Sequence, residues 1–282
     1  NYFFALRVGA TGAPVWARHF GYHHPILPDI GHHGSFQFIK ELPGGDLLAG
    51  FNMDTAGVSV ARMDPDGNLI WCKSYMPEGM IHDCVIESDS TFLITGATDT
   101  TNQFTIFDPL PPDYHPKLFL MKLDADGEVL WCRGYDSAPN LLYSRGQSRI
   151  EKTQDDNYVV LANLAVQGYN RFYRPLLMKL DQNGDTLWTR SAGDPDCAYQ
   201  TIDLLSYSDG SFIYDGVADG DAVPFGSGPF IFKTDSLGHL PCYERFYPLT
   251  ISDLFPTDSS FTLTSTDGAT MVEVGVTDTS FA

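Results

Sequence analysis

Basic residues are scarce in this chain of 282 residues, which has 17 Lys and Arg against 36 Asp and Glu and a formal net charge of −19. Because binding to nucleic acid depends largely on Lys and Arg neutralising phosphates, this balance argues against a nucleic-acid partner. There is also no run of 18 or more apolar residues, so no membrane-spanning helix is predicted. Hydrophobic residues still make up 43% of the chain, which argues against wholesale disorder.

Motifs that carry chemistry are missing as well. The sequence has no GxSxG, HExxH, P-loop or Rossmann fingerprint, and we predict no cofactor. Five cysteines stand at irregular spacing without a CxxC pair, which argues against a structural zinc site and a redox motif. They are Cys72, Cys84, Cys132, Cys197 and Cys242. One or two disulfides and five free thiols are both compatible with this spacing.

Tryptophan is rare, and its four occurrences reveal a repeat. Each tryptophan follows a glycine by four residues, as in GNLIW at Trp71 and GEVLW at Trp131, and a fifth copy has Cys242 in that position. Successive copies are 54 to 60 residues apart. A basic residue stands five residues before each glycine and another two residues after each tryptophan, where we expect structural roles. So many coincidences in one register indicate a repeating structural unit.

Each unit is predicted to contain four short β-strands. Alternating polarity and many β-branched and aromatic residues favour strands, as in LFLMKL at 118–123, and no long window shows helical periodicity. Four strands per repeat are typical of β-propeller blades. The hairpin of strands 3 and 4 occurs five times, starting at residues 2–20, and the hairpin of strands 1 and 2 also occurs five times, ending at 249–266.

These counts predict an all-β propeller of about five four-stranded blades over residues 1–266. Its ring would be closed by N-terminal strands 3 and 4 pairing with C-terminal strands 1 and 2. Part of a six- to eight-bladed ring is the alternative. Residues 267–282 are predicted to be a C-terminal strand or the start of a further segment.

The connections predict two faces of different character. Turns such as DPDG at 64–67 are short, whereas connections between strands 2 and 3 are long, and binding residues are usually found on long loops. The D-x-[DN]-G turns supply some of the oxygens of a calcium loop but lack its distal glutamate. We therefore interpret them as hairpin turns whose glycine takes a positive φ.

Aromatic and basic residues on the long loops form the candidate ligand-binding surface. Aromatic rings stack on sugars, and arginine pairs with carboxylate or sulfate. The candidates are Tyr169, Arg171, Phe172, Tyr173, Arg174, Phe104, Phe107, Tyr114 and Phe225. The alternative is that these rings only pack the loops onto the sheets.

Two smaller sets of residues bear on metal binding and catalysis. Paired histidines at His23, His24, His32 and His33 could meet around zinc, but the same segment has no cysteine or glutamate, and solvated loop residues are the simpler interpretation. Acids on the predicted first strands do not share a register, which argues against an enzyme. They are Glu41, Asp83, Glu87, Glu151, Asp203 and Asp253.

The segments WCRGYDSAPN, QDDNYVVLANL and LLMKLDQNGDTLW resemble the blade repeats of secreted Bacteroidota β-propeller proteins, which are type IX secretion substrates. The resemblance covers residues 2–247 and includes the run from Asp235 through Gly238 to Cys242. It implies an extracellular or cell-surface location, although no targeting segment is predicted from these residues. It carries over no catalytic residue.

We accordingly expect a non-enzymatic binding or adhesion scaffold whose partner is a glycan or surface protein, without membrane insertion. Two alternatives remain. One is a carbohydrate-active enzyme of the five-bladed propeller type. The other is a structural subunit of a surface assembly or filament, in which the tail at 267–282 mediates self-association.

Overall fold

The computed structural model describes residues 2–21, 34–53, 57–76, 79–98, 117–136, 148–165, 173–194, 197–220, 227–241, 244, 246, 248–260 and 264–267. Regular structure in these ranges consists of twenty strands in five antiparallel sheets, so the expectation of an all-β fold is confirmed. Within the same ranges, no helix is long and apolar enough to cross a membrane.

The sheets follow the predicted repeats. The first contains β1 (Tyr2–Val8), β2 (Pro14–Gly21) and β20 (Thr264–Asp267). The second contains β3 (Gly34–Glu41), β4 (Leu47–Met53), β5 (Gly57–Met63), β6 (Leu69–Met76) and β19 (Ser259–Ser260). The third contains β7 (Met80–Ser88), β8 (Thr91–Ala97), β9 (Leu118–Asp124), β10 (Val129–Asp136) and β18 (Thr250–Asp253). The fourth contains β11 (Arg149–Lys152), β12 (Tyr158–Ala165), β13 (Tyr173–Leu180) and β14 (Thr186–Ser191), and the fifth contains β15 (Cys197–Ser206), β16 (Phe212–Gly220) and β17 (Ser227–Lys233).

The hydrophobic core consists of layers between successive sheets. Side chains alternate along a strand, so neighbouring residues of β9 enter different layers. Phe119 and Met121 belong to the layer between the second and third sheets, whereas Leu118 and Leu120 belong to the layer between the third and fourth. Among the described residues, no hydrophobic cluster joins the first sheet to the fifth.

The C-terminal strands differ from the predicted ring closure. Instead of forming a hairpin that pairs with β1, they separate and pair with the outer edges of three sheets. β18 pairs with β10, β19 with β6 and β20 with β2, so the segment runs backward past the third, second and first sheets. We call β18, β19 and β20 the C-terminal belt. It satisfies backbone groups that an outer strand would otherwise leave unpaired.

The repeated glycine and tryptophan meet at the joints between sheets. The indole of Trp71 donates a hydrogen bond to Ala125 O, 2.9 Å away in the turn of the third sheet, and Trp16 bonds Pro65 O in the same way. At Gly127, φ is +75°, and an added Cβ would lie 3.0 Å from the Trp71 ring. The motif therefore couples each sheet to the turn of the next.

Polar residues of the repeat also contribute to these joints. Asp64 Oδ1 accepts bonds from the Asp66 and Asn68 amides at 2.9 and 2.8 Å, which confirms the hairpin-turn interpretation. The cation two residues after tryptophan reaches the next turn: Lys73 pairs with Glu128, and Arg133 pairs with Asp185 in the same manner. Four cysteines, at 72, 84, 132 and 197, are free and buried, and Cys242 lies outside the described residues.

Candidate functional site

Charged side chains gather along the strands that begin successive sheets, namely β3, β7, β11 and β15. We call these the leading strands. Five residues on them form the leading-strand cluster: Lys40, Asp83, Arg149, Glu151 and Asp203. The cluster contains three of the acids singled out from the sequence, and it draws them from three different sheets.

Asp83 ties three sheets together. Its Oδ1 atom accepts bonds from Lys40 Nζ at 2.9 Å and from the Cys84 amide at 2.8 Å. Its Oδ2 atom accepts from the Ile150 amide at 3.2 Å. Lys40 also donates to the Cys84 carbonyl oxygen. Burial lowers the pKa of Lys40, but the neighbouring Cys84 and the Asp83 carboxylate outweigh this effect and raise the pKa above its usual value.

Asp83 and Asp203 occupy the same position in their sheets. Each follows a β-bulge in the leading strand and receives a bond from the next backbone amide, that of Leu204 lying 3.0 Å from Asp203. Each also stands nine residues before a buried phenylalanine, Phe92 or Phe212. The expectation that the leading-strand acids share no register is therefore wrong for this pair.

The fourth sheet has a cation in the equivalent position. Arg149 stands nine residues before Tyr158, and its Nε atom lies 3.5 Å from Asp203 Oδ1. Because opposite charges at one register attract across neighbouring strands, the pair links the fourth and fifth sheets as Lys40 and Asp83 link the second and third. Asp203 differs from Asp83 in exposure, since 59% of its side chain is accessible against 13%.

Glu151 is the acid in the cluster whose pKa is raised above its usual value. Burial is the main cause of its raised pKa. The positive charge of Lys40 acts in the opposite direction, and the negative charges of Asp83 and Asp203 raise the pKa further. Such an environment favours the protonated carboxyl group more than water does. With the exposed Asp203 nearby, Glu151 is the member of this cluster best suited to exchange a proton or to donate a hydrogen bond.

A second polar group adjoins the cluster in the chain, since His82 precedes Asp83 and Ser148 precedes Arg149, and it was not anticipated from the sequence. His82 Nδ1 is 2.9 Å from Ser148 Oγ, which is 3.1 Å from Thr95 Oγ1, and all three side chains are buried. Burial, followed by the charge of Arg149, lowers the pKa of His82 to about 3. A serine beside a histidine has the composition of a nucleophile and its base, but a buried pair is closed to substrate. It connects the third and fourth sheets.

The predicted loop surface is described only in part. Tyr173 is partly buried at the start of β13, and Arg174 is 8% exposed, with its backbone paired to Leu164. The remaining binding candidates lie outside the described residues: Tyr169, Arg171, Phe172, Phe104, Phe107, Tyr114 and Phe225. So do His23, His24, His32 and His33.

The site is thus defined by the leading-strand cluster and its neighbours. In the described ranges, no group of three or more His, Cys, Asp or Glu side chains could hold a metal ion. Comparison with known proteins finds no matching family model and no matching curated protein.

Proposed function

We propose that the chain is a repeat scaffold of the β-propeller type, with its five sheets as blades, that acts by binding rather than by catalysis. The four-stranded repeat and the tryptophan joints between consecutive sheets support the blade assignment. A ring with more blades is the alternative, because the first and fifth sheets share no hydrophobic cluster in the described part of the chain.

The hydrogen bonds that Asp83 accepts are the main support for a non-catalytic role. A glycosidase needs two carboxyl groups free to act on the sugar, one as acid and one as base or nucleophile. Asp83 instead accepts bonds from Lys40, the Cys84 amide and the Ile150 amide. Its oxygens are used to hold three sheets together.

The resemblance to secreted Bacteroidota repeats supports an extracellular or cell-surface location and an adhesive role. We place the partner, a glycan or a surface protein, at the long loops, whose aromatic and basic residues fit either. The test is binding of the purified chain to a glycan array and to intact cells, comparing the wild type with Arg171→Ala and Tyr173→Ala. At least a tenfold weaker signal is expected for the variants. If both variants bind as strongly as the wild type, the partner does not bind at the long loops.

One observation keeps a carbohydrate-active enzyme as the second candidate. Glu151 has a raised pKa and is influenced by Asp203, as expected for an acid beside a second carboxylate. The test is hydrolysis of chromogenic glycosides by the wild type, Glu151→Gln and Asp203→Asn. The scaffold proposal expects no turnover above a no-protein blank. Turnover that disappears in both variants would establish the enzyme instead.

A further inference from the structure

Each internal sheet buries both of its faces. The face directed toward the next sheet in the chain is here called the forward face, and the opposite one the backward face. In the third sheet, Leu120 lies on the forward face and Met121 on the backward face, and both are buried in hydrophobic layers. Four such layers join the five sheets, so the same type of joint is made four times.

The first sheet has an exposed backward face. Ala5 and Phe20 lie on its forward face and are buried against the second sheet. On the opposite side, Phe4 is 48% exposed and Leu6 is 39% exposed, whereas the residues at the same repeat positions in the third sheet, Phe119 and Met121, are fully buried. An apolar strand face of this kind is costly in water and usually marks an interaction surface.

The fifth sheet has an exposed forward face. Phe230 and Phe232 pack backward onto the fourth sheet, whereas Ile231 between them is 72% exposed. Leu205 and Val217, on the two neighbouring strands, are exposed on the same side. The fifth sheet therefore presents the type of face that every earlier sheet uses to bind its successor.

The turn of the first sheet is also open for docking. Gly12 has φ of +78° and its amide bonds Gly9 O at 2.9 Å, as the Gly67 amide bonds Asp64 O at 3.0 Å. A Cβ added to Gly67 would meet the ring of Trp16, but one added to Gly12 meets nothing within 4 Å. The turn thus has the geometry of an internal docking turn without a sheet docked on it.

We propose that the forward face of the fifth sheet binds the backward face of the first sheet of a second copy of this chain. The two faces are the two halves of the joint already made four times within one copy, which argues for this partner over an unrelated protein. Such a head-to-tail contact uses different surfaces on the two copies, so it builds open rows or closed rings rather than only dimers. It does not depend on the proposed ligand at the long loops, but it does require that the first and fifth blades of one copy stay apart, as they do in the described residues, where no hydrophobic cluster joins them.

Charge favours the head-to-tail pairing over pairing of two identical faces. Asp215 and Asp219 lie on the forward face of β16, on either side of Val217. Two fifth sheets placed face to face would bring these carboxylates together, which costs free energy. The described backward face of the first sheet carries no acid, and His19 is on it beside Phe4, with ring centroids 5.4 Å apart.

The test uses the full chain with one face blocked at a time. Phe4→Glu blocks the first sheet and Ile231→Glu blocks the fifth, because each places a charge in an apolar joint. Leu130→Glu is the matched control, since Leu130 is similarly exposed at 52% but lies on neither end face. Molar mass is measured by light scattering over a range of protein concentrations, and circular dichroism confirms that each variant is folded.

The wild type and Leu130→Glu should grow in mass with concentration, and more so at higher salt, because screening weakens repulsion between copies of net charge −19. Each blocked variant alone should be monomeric, with its dissociation constant raised at least about tenfold. A mixture of the two should yield a dimer of twice 31.2 kDa, since one intact face remains on each. A monomeric wild type, blocked variants that associate normally, or a mixture that stays monomeric would overturn the proposal. So would association that is lost only when residues 268–282 are removed.

Discussion

The ring of Trp188 lies so close to Gly238 that a Cβ atom on this glycine would be 2.5 Å from the indole. The two residues belong to consecutive repeats, with Trp188 on β14 of the fourth sheet and Gly238 in the turn after β17. Gly238 has φ of +75°, a conformation that L side chains rarely adopt. Glycine is therefore required at this repeat position for two reasons: the backbone has a positive φ, and the tryptophan ring leaves no room for a Cβ atom.

These two requirements can be measured separately. We expect Gly238→Ala to destabilise the chain by roughly 3 kcal/mol, about 1 kcal/mol from the positive φ and the remainder from displacing the indole. Gly12→Ala is the matched control, because Gly12 has φ of +78° but no atom within 4 Å of the added Cβ. Urea unfolding at low protein concentration measures both variants. Equal losses of stability would show that the ring contributes nothing to the choice of glycine.

The repeat explains why so much of the fold was predictable. Trp71, Gly127 and Asp64 each act through short contacts that recur in every joint, so the sequence register carries the structural information. The positions of the leading strands and of the hairpins followed from the same register. Asp83 and Asp203 could also have been aligned, because each stands nine residues before the phenylalanine that follows the turn.

The C-terminal belt was beyond prediction from the repeat for a physical reason. Residues 249–266 have the alternating pattern of a hairpin, and that local pattern favours pairing of neighbouring strands. What separates them is the free outer edges of β10, β6 and β2, which come from distant parts of the chain. The Lys40–Asp83 bond was missed for a similar reason, since its two residues occupy different positions in their repeats.

The leading-strand cluster predicts unequal effects for two aspartates in one register. Asp83→Ala should cost about 3 kcal/mol of stability, because it removes the counter-charge of the Lys40 ammonium and leaves two backbone amides without their acceptor. Asp203→Ala should cost less than about 1 kcal/mol, because Asp203 is largely exposed and its pairing with Arg149 is screened by water. Guanidinium unfolding of both variants provides the comparison. A loss at Asp203 as large as that at Asp83 would contradict the assigned roles.

The buried His82 predicts a pH dependence of stability. Its pKa is about 3 in the folded chain and near 6.5 in the unfolded chain, so the unfolded state binds the extra proton between these values. Stability should therefore fall as the pH drops below about 6.5, by up to about 1.4 kcal/mol per pH unit from this group.

His82→Asn tests this origin. An asparagine keeps an acceptor for the Ser148 amide but does not titrate, so the slope between pH 6.5 and 5 should be smaller in the variant. Unfolding free energies at several pH values measure the slope, and the limit of pH 5 avoids most of the titration of carboxylates. His239→Asn is a suitable control, since His239 is exposed and bonded to Glu244. An unchanged slope in His82→Asn would assign the pH dependence to other groups.

The C-terminal belt makes opposite predictions for two adjacent residues. Leu254 packs against the layer between the second and third sheets, and its amide bonds Cys132 O at 2.9 Å, whereas Phe255 is 89% exposed. Leu254→Asp should release this part of the belt, because a carboxylate cannot be buried there without a partner. Hydrogen exchange at the outer strand β10 should then rise at least about tenfold, as its edge becomes open to water. Phe255→Asp should leave that exchange unchanged. Equal protection of β10 in the two variants would mean that the belt is held by its backbone pairing alone.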